Sequence, residues 1–246
     1  MMELLRTAGL SRSFGSLQAV LDVDFAVGAG ELRSIIGPNG AGKSTFFRLI
    51  AGELPPSSGR IRFKGRDITG LPQHAVSRLG IVKSYQITSV FPHLTVFENI
   101  RVAAQSRATA YNFWQKASAL GAVRDRAERT LVAVGLAAKA SHRAAHLSHG
   151  EKRNLEIGIA LATEPELLLL DEPTAGMSPE ETEATMRLIS EIAGGRTVIV
   201  VEHNMKLVMK ISQRITVLHQ GQILAEGTPA DIRANHRVQQ VYLGGA

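Results

Sequence analysis

The octapeptide Gly37-Pro-Asn-Gly-Ala-Gly-Lys-Ser44 constrains the fold of this chain more than any other stretch. It fits G-x-x-x-x-G-K-[ST], which average residue usage produces in roughly one in a hundred chains of this length. Its setting narrows it further. The apolar run Leu32–Ile36 precedes it, and a helical pattern from Lys43 to about Ala51 follows. A strand entering a glycine-rich loop that opens a helix is a cradle for phosphate groups. Gly40 and Gly42 let backbone N–H groups turn inward as an anion nest. Lys43 supplies a point charge to β- and γ-phosphates, and the Ser44 hydroxyl can ligate Mg2+. The helix adds the positive end of its dipole. A nucleoside triphosphate with Mg2+ is the implied ligand.

A second motif stands about 130 residues downstream. Leucines at 167–170 read as a buried strand, and Asp171-Glu172 follows at its end. Such a strand holds Asp171 rigidly at the sheet's C-terminal edge, where it can order Mg2+ directly or through water. Glu172 is then placed to accept a proton from an attacking water.

Around these motifs the periodicity predicts strands at residues 3–8, 17–27, 60–63 and 80–85, with helices opening at Lys43 and after Gly150. Helix Pro179–Ala193, strand Thr197–Val201 and a helix over 204–212 complete the second half. Residues 95–136 read as helical and alanine-rich, with Gly121 and Gly135 as expected breaks. Alternating apolar strands and helices predict a mostly parallel core sheet, interrupted by a helical block of about 50–60 residues. Composition removes other classes. An apolar share of 44% excludes disorder, and the absence of cysteine excludes a disulfide scaffold, a thiolate zinc site and a cysteine nucleophile. The apolar runs are strand-length and the first residues show no signal-peptide core, so a soluble intracellular chain is expected. The 28 basic residues exceed the 22 acidic ones by six but are dispersed, which argues for a solvated surface and against nucleic-acid binding.

Leu147-Ser-His-Gly-Glu151, followed by a helix and then by Asp171-Glu172-Pro173-Thr174, resembles the signature region of ATP-binding-cassette (ABC) ATPases. Gln86 matches that family's Q-loop glutamine, His203 its switch histidine, and Phe14 the aromatic that stacks on adenine. Motif order and spacing agree from Phe14 to Leu243. The signature form, Ala175-Gly-Met-Ser-Pro179, and the ending Gly227-Thr-Pro-Ala-Asp-Ile with Val241-Tyr-Leu-Gly244 resemble the LivG-type ATPases of branched-chain amino-acid importers. Three departures stand out: His149 replaces the first of two signature glycines, Ser178 an aspartate, and Asn204 an aspartate after the switch histidine. The first two recur in the LivG type.

The resemblance implies an α/β P-loop NTPase core with an N-terminal antiparallel β subdomain and an inserted α-helical subdomain. Residues 1–86 and 163–246 would form the core with its β subdomain, and 87–162 the helical unit. It implies ATP binding by Phe14, Gly37, Pro38, Asn39, Gly40, Ala41, Gly42, Lys43, Ser44 and Thr45. Catalysis would fall to Glu172, His203, Gln86 and Lys43, and Mg2+ to Ser44, Gln86 and Asp171. Leu147, Ser148, His149, Gly150 and Glu151 would meet ATP held by a second ATPase subunit, identical or not. Integral-membrane permeases and a periplasmic solute-binding protein would complete the system, with this chain peripheral on the cytoplasmic face of the inner membrane. A lipopolysaccharide-export ATPase and a soluble nucleic-acid ATPase are the competing readings. The loop Ile87-Thr-Ser-Val-Phe-Pro-His-Leu94 is expected either to line a groove for a permease helix or to tuck under the helical block.

Overall fold

The computed structural model describes residues 2–84, 90–108 and 117–243. Strand β3 (Leu32–Ile36) is buried at every position and lies inside a six-stranded sheet. Its neighbours are β8 (Thr197–Val201) and β9 (Arg214–His219), both parallel to it. Beyond β8 come β7 (Leu167–Asp171) and β6 (Ile81–Ser84), also parallel, and β10 (Gln222–Gly227) closes the opposite edge antiparallel to β9. Burial on both faces explains why β7 and β8 read as largely apolar runs. Neighbouring residues of β7 serve different layers: Leu167 and Leu169 join one core cluster, Leu168 and Leu170 the other. The polar interruptions in β3 are satisfied internally. Arg33 Nε donates to Glu31 Oε1 at 2.6 Å, and the Ser34 and Ser212 hydroxyls lie 2.6 Å apart.

The first layer is an antiparallel sheet ordered β2 (Leu17–Gly28), β1 (Glu3–Phe14), β4 (Ser58–Phe63), β5 (Arg66–Asp67). With α1 (Lys43–Ile50) it covers one face of the central sheet, and Phe25 meets Phe46 edge-on at 5.3 Å. β1 runs on to Phe14, past the expected end at residue 8, because register shifts between Thr7 and Ser13 bend it without ending the pairing.

The other layer holds α3 (Val96–Ala108), α4 (Ala117–Ala133), α5 (His149–Ala162) and α6 (Pro179–Ala193). Ser148 and Ser178 cap α5 and α6, each in a reciprocal box with a glutamate three residues on. Thr95 and Glu98 do the same for α3. Gly121 does not break the helical block: it sits inside α4, where an exposed glycine lowers helix stability by only about 1 kcal/mol. Gly135 does lie past the end of α4. Sequence patterning left unassigned α2 (Gln73–Leu79), the hairpin β9–β10, and the helices α8 (Pro229–Ala234) and α9 (His236–Leu243). The last two pack with α7 (Met205–Ile211) around Ile36, Val217 and Ile232. No helix among the described residues is long and apolar enough to cross a membrane.

Candidate nucleotide-binding site

The parallel register brings three strand ends together. Ile35 pairs with Val201 and Asp171 also pairs with Val201, so β3 and β7 flank β8. The chain leaves β3 as the glycine loop, β7 as Glu172 and β8 as Glu202-His203. Ligands bind outside the carboxyl ends of parallel strands, where loops diverge.

Gly42 is the N-cap of α1 at φ 98°, and Gly40 has φ 79°. Their surroundings differ. A Cβ on Gly40 would meet nothing within 4 Å, whereas one on Gly42 would come within 2.3 Å of Ala19 O. The β1–β2 hairpin therefore abuts the loop, and Gly221 ties them by accepting from Leu21 N–H and donating to Ala41 O. Phe14 stands at the end of β1, 42% exposed, with the Arg12 guanidinium 4.7 Å from its ring centre. Pro38 and Thr45 are half-buried, Asn39 and Ser44 exposed, Ala41 buried. The Lys43 ammonium is buried and donates to Gly37 O at 2.7 Å and Pro38 O at 3.0 Å. Burial holds its pKa below the ordinary lysine value, against the opposing pull of Glu172 and Asp171.

Asp171 is buried at the end of β7, and desolvation raises its pKa while Lys83, 3.7 Å away, works against that rise. Glu172 follows at φ 45°, its N–H donating to Val201 O at 2.9 Å. Its Oε1 lies 2.5 Å from His203 Nε2. Gln86 lies outside the described residues.

The signature residues gather at the start of α5. Leu147 is buried; Ser148 and His149 are exposed. Glu151 accepts from Ser148 N–H and pairs with Lys139 at 2.5 Å, and these contacts hold its carboxyl below the usual range, the Lys139 contact foremost. The contacts of this turn run to the segment after β7. His149 Nε2 lies 3.2 Å from Ala175 O, and a Cβ on Gly150 would come 2.9 Å from Glu181 Oε1. A cleft of about 740 Å³ borders Val90, Pro92, His149, Arg153 and Glu172.

Sequence reasoning missed two braces. Arg153 is buried, and its guanidinium donates to Asp171 O at 2.7 Å and Pro173 O at 3.3 Å, fixing the Asp171-Glu172 turn from α5. Glu202 is the other. Its signal was available, since a charged residue directly after a buried strand repeats the placement of Asp171.

A fold with a phosphate loop at the centre of a parallel sheet, facing two strand-end acids and a histidine, defines a nucleotide-hydrolysing cassette. A family model described as ABC transporter matches residues 20–175, and one described as branched-chain amino acid ATP-binding cassette transporter matches residues 222–246. The chain belongs to the ABC transporter family, as an ATP-hydrolysing cassette. It is 41% identical over 251 residues to the high-affinity branched-chain amino acid transport ATP-binding protein LivG of Salmonella typhimurium, covering 99% of this chain and 98% of that one. The lipopolysaccharide export system ATP-binding protein LptB of Acidithiobacillus ferridurans is 36% identical over 245 residues, covering 99% and 98%. The crystal structure of the ADP conformation of MJ1267, an ATP-binding cassette of an ABC transporter, matches with a TM-score of 0.87 at 30% identity, covering 99% of this chain and 100% of that one.

Proposed function

We propose that this chain hydrolyses ATP to drive import of branched-chain amino acids. The observation that carries the hydrolytic part is the 2.5 Å contact between Glu172 and His203 beside the phosphate loop. The import reading is supported by similarity to LivG over nearly the whole chain and by the match at the C-terminal end. Identity to the export ATPase is lower.

In this reading Phe14 stacks on the adenine, and residues 37–45 wrap the phosphates with backbone N–H groups. Lys43, now held by loop carbonyls, exchanges those acceptors for β- and γ-phosphate oxygens. Glu172 accepts a proton from water as the water oxygen attacks the γ-phosphorus. The bond to the β–γ bridging oxygen breaks, and its electron pair leaves with ADP. His203 positions the γ-phosphate and the water, and Gln86 reports on them from the segment after β6. The donors offered to a metal are all oxygen: the exposed Ser44 hydroxyl, the Asp171 carboxylate and Gln86, a set that fits Mg2+ and not a thiophilic ion. A cation beside Asp171 would also compensate the desolvation that raises its pKa. Mg2+ bound there would neutralise charge on the β- and γ-oxygens.

Residues 1–86 and 163–246 act as the nucleotide-binding core, with 87–162 as the helical unit. Two such subunits sandwich ATP head to tail. Ser148, His149 and Gly150 of one cap the γ-phosphate held by the other, so closure depends on ATP and reopening on hydrolysis. Permease subunits convert that cycle into alternating access, and a periplasmic protein delivers the amino acid. The chain sits peripherally on the cytoplasmic membrane face. Phe91 supports a docking role for its loop. Its side chain is 55% exposed, while buried Asn99 grips its backbone, accepting from Phe91 N–H at 2.7 Å and donating to Phe91 O at 3.0 Å. Residues 87–89 of that loop lie outside the described residues.

The test compares two substitutions. Glu172→Gln should keep ATP bound, slow hydrolysis by about 10²–10⁴-fold and accumulate an ATP-dependent dimer. Lys43→Ala should lose ATP binding and turnover together. Normal turnover by Glu172→Gln would remove this residue from the mechanism. Reconstitution with the cognate permeases tests the solute: uptake of radiolabelled leucine must depend on this chain and on ATP.

A further inference from the structure

Glu202 is a buried carboxylate, 3% exposed, that the chemistry above does not use. Both of its oxygens are committed. Oε1 accepts from Thr174 N–H at 3.0 Å and from Thr174 O–H at 2.7 Å, and Oε2 accepts from His203 N–H at 3.1 Å. All three partners are donors, so the position needs a group that accepts at both ends. Glutamine has the same shape but would turn an NH2 toward one of those donors.

The placement of these bonds gives them a consequence. Glu172 holds a left-handed backbone conformation, which a residue with a side chain keeps only when its surroundings impose it. Those surroundings are the end of β8. Val201 O takes the Glu172 N–H, and the next residue, Glu202, takes both donors of Thr174 two positions on. The same carboxylate then fixes the backbone of His203. One side chain thus joins the turn bearing Glu172 to the turn bearing His203, the pair whose side chains meet at 2.5 Å. The Glu202 N–H reaches Ile35 O at 3.4 Å, which anchors the joint on the strand leading into the phosphate loop.

We infer that Glu202 is a positioning residue for hydrolysis: it sets the register of Glu172 against His203 without touching the nucleotide. This rests on the roles given above to Glu172 and His203. The inference separates turnover from affinity. The phosphate loop and Phe14 hold ATP through other contacts, so loss of the joint should misplace the water-activating pair and leave ATP binding alone.

The experiment measures kcat, KM, ATP affinity and Tm on the full-length chain with Mg2+ and ATP. Glu202→Gln should lower kcat by about 10- to 100-fold, the effect of a small misplacement of a reacting group. ATP affinity should stay within about twofold. Thr174→Val removes one donor to Glu202 and should lower kcat by about 3- to 10-fold, with no further loss when added to Glu202→Gln. A brace that served folding alone would lower Tm while each folded molecule kept its kcat, and that result overturns the inference. So does an unchanged kcat in Glu202→Gln, or losses that add in the double variant. Should Glu202→Gln not fold, Thr174→Val decides alone, and a wild-type kcat there is fatal. Glu172→Gln run in parallel separates the two layers. If it slows turnover as expected while Glu202→Gln keeps the wild-type kcat, only the positioning role is wrong; if it turns over normally, the catalytic reading beneath it has failed as well.

Discussion

Replacing Gly40 and Gly42 separately by alanine would test whether the phosphate loop is built by conformation alone or also by close packing. Both glycines have left-handed φ, so each alanine pays the strain of that region, about 1–2 kcal/mol. At Gly40 nothing else is added, because the new methyl enters open space. At Gly42 the methyl would lie 2.3 Å from Ala19 O, a distance that backbone must relieve by moving. Overpacking of that kind costs a further 1–3 kcal/mol, roughly. For a chain of 246 residues each kcal/mol is worth about 2–4 °C in Tm. Gly40→Ala should therefore lose about 2–8 °C, and Gly42→Ala about 2–12 °C more than that. Differential scanning calorimetry measures both. Because the displaced carbonyl belongs to the hairpin carrying Phe14, Gly42→Ala should also weaken ATP binding more than Gly40→Ala does. Equal melting temperatures for the two variants would refute the packing argument.

His203→Ala should depress kcat far more than nucleotide affinity, whereas Phe14→Ala should weaken ATP binding by about 1–3 kcal/mol of base stacking with kcat little changed. Steady-state kinetics beside equilibrium nucleotide titration distinguishes them, and an interchange of the two patterns would reverse the assignments. Phe91→Ala should leave the isolated chain folded and hydrolytically competent, yet reduce its co-purification with the permease and abolish solute-stimulated turnover. A large fall in Tm with normal assembly would instead make Phe91 a packing residue.

What the sequence made legible is what local physics encodes. The runs at 32–36 and 197–201 appear as strands with those bounds because strands buried on both faces are apolar throughout. The start of α6 is written in Ser178-Pro179, and its serine caps the helix where the family more often has aspartate, another good cap. The loop from Gly37 to Ser44 is legible because its backbone must bend where side chains cannot follow. The β9–β10 hairpin was missed because β10 is only half-buried, so neither a continuous apolar run nor a clear alternation marks it. Gly121 reads as a break by propensity, yet its cost is small beside the packing of the helix that continues through it to Ala133. Arg153 escaped because nothing local marks it: it acts across 18 residues of chain, on a backbone carbonyl whose position exists only after folding. Glu202 carries a local mark in its place after a buried strand, but its partner Thr174 stands 28 residues away and is set beside it only by folding.

The division of β7 between two layers decides how the strand can be transplanted. Leu168 and Leu170 are shaped by the helices that carry the signature turn, and Leu167 and Leu169 by the antiparallel sheet and α1. Two sets of packing constraints are therefore interleaved residue by residue in one short strand. A chimera that takes its helical block from a relative would import packing partners for only the even-numbered leucines. The strand would have to be grafted as a mosaic, with alternate positions from each parent, for the acids at its end to stay in place.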